Sequence, residues 1–166
     1  MKACLFAIAV LALLHPANSA AQTTLPQLRI GVIGPLSGEA RSFGEAIKNG
    51  VTLALEEQGD GLIEAVYEDD QFNNAKAVSA YRKLVSVDKV DVIFTAASGP
   101  SNAVAALAQA DKMPMFAWAS NPDVSRGRDF VFRSLVSGQR EGDKAANEAV
   151  RLNYRRTAVY NVETDY

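Results

Sequence analysis

LRIGVIGPLSGEARSFGEAIKNGVTLAL, residues 28–55, reads as a strand, a tight turn and a helix in immediate succession. Leu28 to Ile33 is apolar at most positions and runs straight into Gly34-Pro35-Leu36-Ser37-Gly38, a cluster of turn formers. Beyond the turn, Ile47, Val51, Ala54 and Leu55 recur at helical spacing, a candidate inward face that ends before Gly59 and Gly61.

The same alternation continues outward from this unit. A strand is predicted over residues 62–67 and another over 90–94. Between them lies a helix over 74–87 with Ala77, Tyr81, Leu84 and Val85 on one face. A helix over 100–111 carries Val104, Leu107 and Ala108, and short strands follow at 114–118 and 130–133. A last helix is expected over 137–152 and a last strand over 157–162. Strands separated by helices at this spacing predict an α/β fold, a doubly wound parallel sheet with right-handed crossovers and helices on both faces. Ligands of such sheets lie beyond the carboxyl ends of the strands, so the loops after Ile33, Tyr67, Phe94 and Trp118 are the ones to examine.

The bulk properties limit what such a sheet could do. With 166 residues, 48% hydrophobic and 22% charged, the chain supports one compact core and shows no sign of disorder. Residues 1–21 read as a cleaved secretory signal: Lys2, an apolar run from Leu5 to Leu14, then small residues around Ala17-Asn18-Ser19-Ala20-Ala21. About ten apolar residues fall well short of the 20 needed to cross a membrane. Cleavage would remove Cys4 and His15, the only cysteine and the only histidine. What remains has no disulfide, no thiolate or imidazole zinc site, and no Cys-His or Ser-His catalysis. The formal charge of −2 becomes −3 when Lys2 is lost, which offers no footprint for nucleic acid or an anionic membrane.

Several motifs can be read in more than one way. Gly31 to Gly38 joins strand to helix but lacks the order of a dinucleotide loop, and Pro35 removes an amide donor. Ser86-Val87-Asp88-Lys89 has the spacing of a serine acylase motif without its companions. Ser98-Gly99-Pro100-Ser101 begins the third helix: Pro100 suits the first helical position and a serine ahead of it suits a cap. The same amides and hydroxyl, at the positive end of the helix, suit a ligand carboxylate. Ala119-Ser120-Asn121-Pro122-Asp123 is either a plain turn or a set of carbonyl and hydroxyl acceptors for an ammonium group. In Glu68-Asp69-Asp70 the paired acids suggest a metal, but Asp70 or Asn73 fits better as a helix cap and no third ligand is evident.

Five stretches together resemble the branched-chain amino acid and amide binding proteins of ABC transporters, type I periplasmic binding proteins. They are residues 30–44 (IGVIGPLSGEARSFG), 67–78 (YEDDQFNNAKAV), 92–103 (VIFTAASGPSNA), 115–125 (MFAWASNPDVS) with Phe132-Arg133-Ser134, and 158–166. The resemblance runs through the whole chain after the signal, in order and nearly without gaps. It implies a non-enzymatic receptor of two α/β lobes that close on a small ligand and are read by permease subunits, with no cofactor and no metal. It places the ligand carboxylate at Ser98 and Gly99 with Ser101 nearby, the ammonium at Ser120, Ala119 and the Trp118 carbonyl, and aromatic contacts at Phe43 and Tyr166. Phe43 stands where tyrosine is frequent and Trp118 where the family has a small residue. Branched-chain amino acids, amides, urea, aromatic acids and other small carboxylates all stay open as ligands.

The expected organisation is therefore a signal peptide (1–21), a first ligand-binding lobe (22–136) and the first helix and strand of a second lobe (137–166). The family runs to more than twice the mature length, so a truncated product or a fragment is expected, located in the periplasm. An exported ligand-sensing domain of a signalling system shares this architecture and is the alternative.

Overall fold

The computed structural model describes residues 27–59 and 61–160. The signal expected at 1–21 and the aromatic contact expected at Tyr166 lie outside the described residues. Five parallel strands, β1 (Leu28–Gly34), β2 (Ile63–Asp69), β3 (Val92–Ala96), β4 (Met115–Trp118) and β5 (Val131–Arg133), form one sheet in the order β2-β1-β3-β4-β5. Strands β1 and β3 pair from Ile30 with Val92 to Ile33 with Thr95. Helices α1 (Arg41–Gln58), α2 (Asn74–Ser86), α3 (Ser98–Asp111) and α4 (Gly138–Arg151) alternate with them, and a single 3-10 turn (Pro122–Val124) links β4 to β5. The α/β doubly wound sheet expected from the alternation is present, with strand boundaries moved by one or two residues.

Right-handed crossovers decide which face each helix takes. The step from β1 to β2 moves one way along the sheet, whereas β2 to β3 and β3 to β4 move the other, so α1 covers one face and α2 and α3 the opposite one. The core lies under α2 and α3: Ala77, Ala80, Tyr81 and Leu84 meet Val104, Ala105 and Ala108 over Ile33, Ile93, Met115, Ala117 and Val131. Tyr81 donates its hydroxyl to Asp111 Oδ2 at 2.9 Å, tying the two helices, and burial with the Asp111 carboxylate beside it pushes the phenol up. Gly31 admits no side chain here, since a Cβ would lie 2.9–3.1 Å from Ile93, Leu84 and Val90.

The other face is thinly covered. Of α1 only Gly44 is buried; Ile47, Val51 and Leu55 are half-buried, and Ala54, expected on the inward face, is exposed. One helix spans too little of a five-stranded sheet, so Phe116 and Phe132 stack on each other at 5.3 Å while about half exposed (47% and 49%). Helix α4, capped by Ser137 as its sequence suggests, buries none of its residues. The strand expected at 157–162 is absent over 157–160, and 161–166 lie outside the described residues. With α4 unpacked, nothing carries the chain back alongside a strand whose backbone it could pair with.

Candidate functional site

Parallel strands send all their carboxyl ends to one rim, and four loops meet there. Asp69, the last residue of β2, ties two of them together. Its Oδ1 accepts the amides of Leu36 (2.8 Å), Ser37 (3.3 Å) and Gln71 (3.0 Å), and its Oδ2 accepts the Ser37 hydroxyl. Burial pushes this carboxyl up, but the hydrogen bonds outweigh burial and hold its pKa below the ordinary value. Asp70 is fully buried, with Oδ1 accepting the Phe72 amide at 2.8 Å and Oδ2 without a partner among the described residues. Burial chiefly, with the neighbouring Asp69 charge, raises its pKa to about 6. The cap of α2 is Asn73, whose Oδ1 accepts the amides of Ala75 and Lys76. The acidic pair is thus committed to loop architecture, and no group of three His, Cys, Asp or Glu able to hold a metal occurs among the described residues.

The turn from β3 into α3 is tighter than the sequence suggests. The helix starts at Ser98 and Pro100 is its third residue, where a missing N–H is still harmless because the first-turn amides have no helical acceptor. The residue ahead of it is Ala97, at φ 68° and ψ 150°, a region that side-chain-bearing residues seldom occupy, so strain sits directly before Ser98. Ser98 is therefore not the helix cap, and its hydroxyl is free for another task. That hydroxyl accepts the Asn121 amide at 3.2 Å and lies 3.4 Å from Ser120 Oγ. The two serines predicted from separate loops thus come together at the carboxyl end of the sheet. Ala97 N–H donates to the Trp118 carbonyl at 3.0 Å, which locks the two loops side by side.

Ser98 and Gly99 line two adjoining hollows. One, of about 460 Å³, is completed by Phe72, Asn73, Asn74, Ala75 and Pro100; the other, of about 190 Å³, by Asn74, Asn102, Ala103 and Asn121. Neither is lined by an acidic or basic side chain. The asparagines were not singled out from the sequence, although any polar residue in the first turn of α2 or α3 must lie at this rim. Ser101 points elsewhere: it is buried with its hydroxyl 2.8 Å from Thr95 Oγ1. Ala119 is buried and its carbonyl accepts from Arg133 Nη1 at 3.3 Å. Phe43, in the first turn of α1, stacks on Trp118 at the end of β4 with ring centroids 5.2 Å apart and planes 18° from parallel. None of the described helices is long and apolar enough to cross a membrane.

The profile of the periplasmic binding proteins matches residues 27–166. The chain belongs to the periplasmic binding protein family. The solved structures it resembles are solute-binding proteins and not enzymes. One is the leucine binding protein LivK of Thermotoga maritima, 30% identical over 76% of this chain and 37% of that one, with a TM-score of 0.71. Another is an ABC transporter solute binding protein of R. palustris in complex with benzoate, 27% identical over 76% of this chain and 38% of that one, TM-score 0.69. A third is the branched-chain amino acid transporter substrate binding protein LivJ of Streptococcus pneumoniae in complex with isoleucine, 28% identical over 67% of this chain and 34% of that one, TM-score 0.62. The chain thus spans little more than a third of the length of these family members. Comparison with curated proteins gives no match.

Proposed function

We propose that this chain provides one ligand-receiving wall of the substrate-binding component of an ABC importer, capturing a small amino-acid-like or related carboxylate solute in the periplasm after removal of residues 1–21. In this reading residues 22–136 belong to the first lobe, residues 137–166 begin a second, and closure of the two on the solute is what the permease subunits recognise. The observation that carries it is the meeting of Ser98 and Ser120 at the carboxyl end of the sheet, beside the first-turn amides of α3. Those amides and the helix dipole suit a carboxylate. The ligands named for the similar structures, leucine, isoleucine and benzoate, share that group.

Calorimetric titration of the full 166-residue chain with amino acids, amides and small carboxylates tests this. Saturable binding weaker than micromolar is expected, because one wall leaves water on the ligand's polar groups. Ser98→Ala should weaken it by roughly tenfold, the cost of one hydrogen bond to a charged group. Absence of saturable binding for every class would remove the reading. A submicromolar constant would show that the second wall is not needed.

A further inference from the structure

We propose that Trp118, stacked on Phe43, is a specificity-determining residue of this rim, and that the solute it selects is a planar aromatic carboxylate in preference to a branched aliphatic amino acid. The inference rests on the reading of the rim as a ligand site. Its first support is the ring pair itself. Trp118 is about one-third exposed (36%), lies two residues before Ser120, and has its backbone carbonyl bound to the amide next to Ser98. A broad π-face is thereby fixed close to the hydroxyl pair, braced from behind by Phe43. A flat unsaturated ring covers such a face with favourable offset or edge-on geometry, which a branched aliphatic group cannot adopt.

The second support is the balance of donors and acceptors. An amino acid brings an ammonium that needs acceptors, and the acceptors of this rim already receive protein N–H groups. The Trp118 carbonyl takes Ala97 N–H, the Ala119 carbonyl takes Arg133, and Asn121 Oδ1 takes the Asp123 amide at 2.9 Å. Asp69 accepts four donors, and Asp70 is buried. Donors remain in supply: the amides of Ser98 and Gly99 lie outside the helical ladder, and Ser98 Oγ, by accepting the Asn121 amide, keeps its own proton to give. A rim rich in donors and short of free acceptors matches an anion without an attached cation.

The test is a titration of the ¹⁵N-labelled full chain, following the Gly99 amide and the indole N–H of Trp118, the sole tryptophan. The probes are benzoate, cyclohexanecarboxylate and L-leucine. Benzoate should move both signals with one saturation curve, binding about 2- to 10-fold more tightly than either saturated probe, the range expected of an aromatic pair. Trp118→Leu keeps apolar bulk and should erase that preference when read at Gly99, while Trp118→Phe should retain most of it. Dispersed amide signals verify folding, and Phe43→Leu supplies the same comparison if Trp118→Leu does not fold. If leucine or cyclohexanecarboxylate binds as tightly as benzoate, or benzoate moves Gly99 without the indole, the inference is wrong and the ligand rim stands. If no probe moves Gly99, the reading of the rim falls and takes the inference with it.

Discussion

Asp70 and Asp69 are adjacent, yet their titrations pull stability in opposite directions. The folded-state pKa of Asp70, about 6, lies above the model value of 3.8. Between roughly pH 4 and 6 the folded chain therefore holds more protons than the unfolded one, so stability falls as pH rises through this window and stays lower above it. Asp69 is depressed, so its contribution is present above its unfolded pKa and is lost as pH falls below about 4. Asp70→Asn should raise stability at pH 8 by about 1–3 kcal/mol and flatten the slope between pH 4 and 6, measured by urea unfolding across pH. An unchanged slope would contradict the buried, half-partnered carboxyl. The sequence displays two acids in a row at a strand end, but which one keeps an oxygen without a partner depends on the backbone path through Gln71 and Phe72, both at positive φ.

Within an element, two glycines of α1 have opposite expected effects. A Cβ on Gly44 would lie 2.1 Å from the Pro35 carbonyl oxygen, a backbone contact that cannot swing away, whereas one on Gly50 meets nothing within 4 Å. Thermal unfolding should show Gly44→Ala losing about 2–3 kcal/mol as the helix start lifts off the β1–α1 loop. Gly50→Ala should gain about 0.5–1 kcal/mol from helix propensity. At the start of α2, Asn73→Ala should cost about 1 kcal/mol, since two amides lose their acceptor. The extents of α1, α2 and α4 were legible from apolar spacing and caps. The start of α3 was not, because proline at the first helical position is only a preference, and the strained Ala97 turn is imposed by the hydrogen bond to the neighbouring loop.

Across the whole molecule, the direction of each crossover leaves one face of the sheet with a single helix and exposes the Phe116–Phe132 stack. Phe116→Thr with Phe132→Thr should lower the binding of an apolar fluorescent dye at least severalfold, at a cost of less than about 1 kcal/mol in unfolding free energy, since exposed apolar side chains contribute little to stability. Undiminished dye fluorescence would place the apolar patch elsewhere. The amino-acid order by itself determined the alternation of strands and helices, and with it the sheet edge at which Ser98 and Ser120 had to lie, because hydrophobic period and turn residues act locally. It also determined the absence of histidine and cysteine chemistry after the leader. Only the tertiary structure decided that the two serines pair, that Ser101 turns inward to Thr95, that Trp118 rests on Phe43, and that 157–160 form no strand. Each of these depends on contacts between segments distant along the chain, whose geometry emerges when helices pack on a twisted sheet and cannot be read from any one segment.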